Sequence, residues 1–407
     1  MEEVKNYILK NATVITMNDG YVMHHTDVMV SGGKITRMAA HIEPYGLPVI
    51  DCTNQYLLPG LIDSHIHMDS NEITEMTLAN GVTTVRNMWG FPITQQWCRE
   101  IDQGKRFGSK VYSTGPLTDG VTYWDGSLIV TTPEEAEKAV VDVLEEGYDY
   151  VKTYPSIPRE AFLHLMEVAN NYGIKVVGHG NFNVSFKELA DSGYYTLEHS
   201  SMLPSNEEEI IMLAESGMWH CPTFLVGSTI EWYAHQDGDL KTTPNYDMMA
   251  PYWRQDWEKV TAWRKSLHRY DNLDIEEELN RSRIFAQHSD HILLGTDVPN
   301  PGVTGGFSVY EEMELMEKLL GWDPYRILRS ATVLGAEMLG IREQKGRLLT
   351  GMDADILILD KDPMQDIRNA RSFTHVIKEG RIYTKAQCDA VLKDISTRTE
   401  EEIHPLM

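Results

Sequence analysis

Between Leu61 and Gly295 the chain alternates short, β-branched apolar runs with helix-patterned segments, and no other feature restricts its fold so strongly. A run of this kind suits a strand buried on both faces of a parallel sheet, and the helix after it supplies the crossover that parallel strands need. The runs are Leu61 to His67, Val82 to Met88, Lys110 to Thr114, Tyr150 to Tyr154, Lys175 to Gly178, Tyr195 to Glu198, Trp219 to Thr223 and Ile292 to Gly295. Their number is the one that closes a (β/α)8 TIM barrel. The segments between them carry helix punctuation. Pro133 to Glu146 and Pro158 to Tyr172 each open on a proline suited to a first helical turn and are followed by Gly147 and Gly173.

Outside this middle the pattern changes. Tyr7 to Met17, Val28 to Val30 and Lys34 to Met38 alternate apolar and polar residues and are broken by Asn18-Asp19-Gly20 and Gly32-Gly33, as in an antiparallel sheet of hairpins. A comparable pattern returns in Ile356 to Leu359 and Thr374 to Tyr383. The two ends are expected to meet as one small β-sandwich domain, residues 1–59 with 345–394, beside a barrel of residues 60–344. A length of 407 residues suits one large unit and one small one. The interval before the eighth run is long, and its stretch from Tyr252 to Tyr270 is rich in Trp, Tyr and Arg. An insertion there lies on the face of the βα loops and can cover a site, although packing on the barrel or on a partner subunit is the plainer expectation. The charged residues after Asp394 are expected to fray.

The net charge of −25 disfavours nucleic acid or an anionic membrane surface as a partner. Four scattered cysteines, Cys52, Cys98, Cys221 and Cys388, form no CxxC pair and indicate neither a disulfide framework nor a zinc knuckle. No stretch approaches ~20 apolar residues, and Met1 to Asn11 lacks the apolar core of a signal peptide. A cytoplasmic protein is expected.

His65 and His67 stand two apart at the end of the first strand, so their imidazoles point the same way, toward the barrel axis. An HxH alone is weak, but His179 closes the fifth strand, His199 the sixth and Asp297 the eighth, where a barrel places functional groups. Each has a plainer explanation: a satisfied core histidine for His179, a partner of Glu198 for His199, a helix cap for Asp297. Lys152 ends the fourth strand among apolar neighbours, where an ammonium is costly unless it is ion-paired or modified. A neutral lysine can react with carbon dioxide to give a carbamate able to bridge two cations; an ion pair with a barrel carboxylate is the alternative.

In order and spacing, Gly60-Leu61-Ile62-Asp63-Ser64-His65-Ile66-His67, Gly81 to Arg86, Lys152, His179, Glu198-His199, Gly295-Thr296-Asp297 and the C-terminal Gly346 to Asp355 resemble the amidohydrolase superfamily. The resemblance covers nearly the whole chain. Lys152 together with Cys221-Pro222-Thr223 is similar to the binuclear prolidase-like and N-acyl amino acid hydrolase branch, often labelled imidazolonepropionase-related. Deaminases of the superfamily carry a Glu shortly after the fifth-strand histidine, where this chain has Gly180, Asn181 and Phe182. Dihydroorotase-like enzymes favour an Arg two residues beyond HxH, where this chain has Asp69. The loop Leu117 to Trp124 lacks the glycines and histidines usual in the branch.

The resemblance implies two divalent metal ions, with zinc as the default. His65, His67 and Asp297 would hold one and His179 and His199 the other, with carboxylated Lys152 and a hydroxide between them. It implies Asp297 as the catalytic proton carrier, Tyr154 and Asn181 as substrate contacts, with Trp124 shaping a side-chain pocket, and a homo-oligomer acting on a small molecule. The expected substrate is a dipeptide or N-acyl amino acid cleaved at its amide bond; hydrolysis or deamination of a cyclic amide or heterocycle, as in imidazolonepropionases, is the alternative.

Overall fold

Seven parallel strands form the barrel wall in chain order: Leu61–Ile66, Val82–Asn87, Lys110–Asp119, Tyr150–Thr153, Lys175–Gly178, Thr196–Glu198 and Trp219–Cys221. The computed structural model describes residues 6–122, 124, 126–235, 238–266, 274–404 and 406. Tyr123 of the third-strand loop, the end of the aromatic insertion past Ser266 and the first five residues therefore lie outside the described residues. The eighth run, expected as a strand over Ile292 to Gly295, is an irregular segment that nevertheless closes the ring. The Leu293 N–H donates to the His220 carbonyl at 2.8 Å, and the Ser64 N–H to the Leu294 carbonyl at 2.9 Å. Its irregularity has a physical source in Asp63, whose carboxylate draws the Thr296 N–H (3.0 Å) and hydroxyl (2.7 Å) away from a regular ladder.

The alternation of side chains along a strand divides the barrel interior by height. Tyr150, Val177 and Leu293 pack with Ile62 and Trp219 in one apolar cluster nearer the strand starts. Two residues on from Tyr150 and Val177, Lys152 and His179 share their faces at the opposite end, and Asp297 follows Leu293 by four. The helices that brace the wall follow their punctuation. Thr132 caps Pro133–Glu145 in a reciprocal capping box with Glu135, and Arg159–Tyr172 ends on Gly173 in the left-handed region, with Pro158 just before its first turn.

A second sheet draws Tyr7–Ile15, Val22–Ser31, Lys34–Ala39, Val49–Asp51 and Tyr56–Pro59 from one chain end and Ile356–Leu359, Phe373–Lys378 and Arg381–Thr384 from the other. It encloses its own core of Tyr7, Leu9, Val28, Ile356 and Ile377. Gly32 and Gly33 both hold positive φ, 57° and 80°, the backbone that a two-residue hairpin turn requires. The sheet is mixed rather than antiparallel, because Tyr7–Ile15 lies parallel to Val49–Asp51 and Tyr56–Pro59, which return by crossover instead of by hairpin.

Two further expectations change. The tail after Asp394 does not fray: Glu400–Ile403 is helical, Ile403 is buried, and its carbonyl and the Leu406 N–H bond Asn71 and Asp69 beside the barrel mouth. The insertion forms the helix Pro251–Ser266, which both packs and covers. Trp257 donates to the Pro299 carbonyl at 2.6 Å and Trp253 to Glu72 at 2.5 Å, while Trp253, Asp256, Val260 and Arg264 line the cavity described below. Among the described residues, no helix is long and apolar enough to cross a membrane.

A buried ion pair fixes the segment by which the chain returns to the second sheet. Lys345 Nζ lies 2.5 Å from Asp355, whose other oxygen accepts the Glu379 N–H at 2.7 Å. Asp355→Ala strands the buried ammonium, and is expected to lower stability by about 3 kcal/mol, the low end for such a pair because Asp353 remains at 3.5 Å. Adding Lys345→Met should restore most of the loss, as read by urea denaturation followed through tryptophan emission.

Candidate metal centre

The six side chains singled out from the sequence meet at the C-terminal mouth of the barrel. The imidazoles form a chain of ring contacts, His67 to His65 at 5.5 Å, His65 to His199 at 4.9 Å and His199 to His179 at 4.7 Å between centroids. Asp297 Oδ1 lies 3.0 Å from His67 Nε2 and 3.3 Å from His65 Nε2. The backbone at this rim is strained. His199, Thr223 and Asp297 all hold left-handed φ, 64°, 47° and 60°, at a cost of about 1–3 kcal/mol each, and such outliers cluster at functional sites.

The donor set fits divalent ions. Among the described residues, His65 Nε2, His179 Nε2, Asp297 Oδ1 and Lys152 Nζ are all buried without a hydrogen-bond partner, so the close approaches to Asp297 lack hydrogen-bonding geometry. Ligand atoms converging on a shared cation take this form, and the candidate atoms of His65, His67 and Asp297 lie within 4.8 Å of one another. Burial lowers His67 to about 4 and His199 to about 3, and pushes His179 well below its ordinary value. His67, His179 and His199 are therefore neutral at pH 7, the form that binds a metal. Burial alone would raise the Asp297 pKa, but the neighbouring imidazoles outweigh it and keep the carboxyl ionised. The ion-pair alternative for Lys152 is not met: among the described residues no carboxylate comes within 4 Å of its Nζ, and burial brings its pKa down to about 8. The Tyr154 ring lies 5.6 Å from that Nζ.

Sequence reasoning missed what orients these ligands. Glu198 Oε2 takes the His65 Nδ1 proton at 2.7 Å, which fixes the tautomer with Nε2 toward the centre. Arg86, fully buried, donates to both Glu198 oxygens at 2.8 and 3.0 Å, to Thr196 at 2.9 Å and to the Ser64 carbonyl at 2.6 Å. Burial would raise Glu198, but Arg86 and His65 hold it well below the carboxylate range. The available signal was an arginine inside the β-branched strand Val82–Asn87. Cys221 also lies near His65 and Glu198, but burial drives its thiol up, and it stays protonated. His199 Nδ1 meets the Thr223 hydroxyl at 2.8 Å, leaving Nε2 for a ligand.

Above the centre opens a cavity of about 560 Å³. Tyr154 lines it, its ring stacked on His179 at 4.1 Å and its hydroxyl paired with Trp124. Asn181 does not line it. Its amide is occupied within the loop, donating to the Ile157 carbonyl at 2.8 Å and accepting the Asn183 N–H at 2.7 Å.

The sequence profile of the amidohydrolase family matches residues 56–383. Dihydropyrimidinase 2 of Caenorhabditis elegans is 34% identical over 418 residues, covering 88% of this chain and 78% of that protein. A dihydroorotase of Pelotomaculum thermopropionicum is 26% identical over 228 residues, 51% of each chain. The chain spans about half or less of several curated relatives that it matches. Among solved structures, a Xaa-Pro dipeptidase with methionine in its active site superposes with a TM-score of 0.76 at 20% identity, covering 93% of this chain and 100% of that one. Barrel, rim and profile agree, and the chain belongs to the amidohydrolase family.

Proposed function

We propose that this protein hydrolyses a C–N bond, the amide bond of a dipeptide or N-acyl amino acid, at a centre of two divalent ions. His65, His67 and Asp297 would hold one ion and His179 and His199 the other, with Lys152, as a carbamate, the further ligand; these N and O donors would suit zinc. Metal ions held there would supply Lewis-acid polarisation of the scissile carbonyl and a water ionisable near neutral pH. The observation that carries this reading is the set of four buried ligand-type atoms, His65 Nε2, His179 Nε2, Asp297 Oδ1 and Lys152 Nζ, that no protein group satisfies.

The chain's own groups then divide the work. Asp297, ionised throughout the neutral range, accepts the proton of the attacking water and returns it to the leaving nitrogen. Tyr154 keeps its proton because burial raises its phenol, and it donates to the developing oxyanion. Glu198, clamped by Arg86, prevents His65 from turning. Trp253 and the helix that carries it close the mouth against bulk water.

The relatives named dihydroorotase and dihydropyrimidinase favour a second reading, opening of a cyclic amide. A panel of dipeptides, N-acyl amino acids and cyclic amides, assayed with the zinc-loaded protein, separates the two: turnover of ring substrates alone would replace the first reading.

Lys152→Ala is expected to leave fewer than two ions per chain by metal analysis and to reduce turnover more than about 100-fold, with partial rescue by propionate. Full activity in that variant would remove the carbamate. Glu198→Gln is expected to weaken metal affinity about 10- to 100-fold in chelator competition, through loss of the anion that orients His65.

A further inference from the structure

The cavity above the centre is strongly biased toward one sign of charge. Asp69 and Asp256 line it, and Asp119 and Glu278 add to its walls. Asp69 is 4% exposed, and its Oδ1 is buried without a hydrogen-bond partner. Asp256 has no ion pair or hydrogen bond among the described residues, since Lys259 and Arg264 act on it only from beyond ion-pairing distance. Asp256 of the helix Pro251–Ser266 and Asp69 of the loop after His67 line the same cavity, and burial, with Asp297 and Asp256 nearby, raises the Asp69 carboxyl to about 8, so a bound cation would favour its ionised form. Arg264 is the single lysine or arginine among the described lining residues, and its guanidinium is engaged by the Tyr233 hydroxyl and Asn300, each at 2.9 Å.

Aromatic faces complete the enclosure. Trp89 stands edge-on to His67 at 6.3 Å and continues outward to Trp124 at 6.5 Å, and Trp253 and Tyr154 also line the cavity. Unpaired acidic side chains beside indole faces form an environment in which an organic cation can be held by both ion pairing and cation–π attraction. A low-dielectric cleft lined by one sign of charge also concentrates the opposite sign, and the chain's net charge of −25 reinforces that field.

We propose that the substrate carries an organic cation, an ammonium or guanidinium, which Asp69 and Asp256 receive beside the aromatic wall while the scissile bond lies over the ligand cluster. This rests on the reading of the cavity as a substrate site and names the class it selects. The cation is either a terminal amino group or a basic side chain. Both present the same charge to Asp69, and they differ in shape and in hydrogen-bond count.

The test is binding without turnover, so a failure of catalysis does not obscure it. The metal-loaded protein is titrated calorimetrically with n-butylammonium, n-butylguanidinium and neutral pentanamide. At least one cation is expected to bind tenfold or more tighter than pentanamide, with affinity falling as salt is raised. Preference for butylammonium points to a terminal amine, and preference for butylguanidinium to a basic side chain. Asp256→Asn and Asp69→Asn should each weaken the preferred cation at least fivefold while the circular dichroism spectrum is retained. Equal affinity for pentanamide, or folded variants that bind the cation as tightly as the parent, would overturn the assignment. Cation binding with no amide hydrolysis in any panel would retain it and sink the hydrolase reading alone.

Discussion

Keeping nitrogen and oxygen lone pairs dry and unshared is the costly step on which the rest of this structure depends. A buried polar atom without a partner costs about 1–3 kcal/mol, so the four at the barrel mouth carry a penalty comparable with the net stability of a domain. The fold meets that penalty with rigidity. Each ligand rides on the end of a strand whose start is locked in the apolar floor, as Lys152 follows Tyr150 and His179 follows Val177. Relaxing the left-handed backbone of Asp297 would disturb its N–H bond to the His65 carbonyl, and relaxing that of His199 its N–H bond to the Cys221 carbonyl.

Electrostatics fixes what rigidity alone would leave ambiguous. An imidazole between two carboxylates could turn either nitrogen toward the centre. Arg86 settles the matter by holding Glu198 as an anion in a fully buried position, where it becomes the obligatory acceptor for His65 Nδ1. An Arg–Glu pair removed from water this completely gains little net stability, because desolvation offsets the attraction. Its worth lies in specifying one tautomer and one ring orientation.

The barrel was legible because its signals are local: apolar run length, the alternation with helices, and the proline and glycine punctuation of Pro133 to Glu146 and Pro158 to Tyr172. The eighth segment was found but read as a regular strand, since nothing in Ile292 to Gly295 shows that Asp63, 233 residues before Thr296, takes the Thr296 donors. The ligand positions were readable for the same reason as the strands, as polar residues at strand ends. Asn181 shared that signal and does not reach the cavity, because three residues past the strand end at Gly178 the chain has already entered a loop that uses its amide. The C-terminal tail looked solvated by composition, yet Ile403 finds a buried seat; long-range docking of one apolar residue leaves no periodic trace.

The insertion shows how packing and function need not compete for the same residues. A helix with aromatic residues at helical spacing has a ready use for them in burying its own face, and Trp257 does this alone, fully buried on the Pro299 carbonyl. Trp253 and Asp256 lie one helical turn apart, where side chains three positions distant share a face, so the packing that seats one delivers the other to the cavity. The indole nitrogen of Trp253 is spent on Glu72 and Ser70, which anchors the helix to the loop bearing Asp69. Covering the mouth and setting its charge are thus consequences of one docking event, and the polarity of the cavity follows from where the aromatic residues had to go.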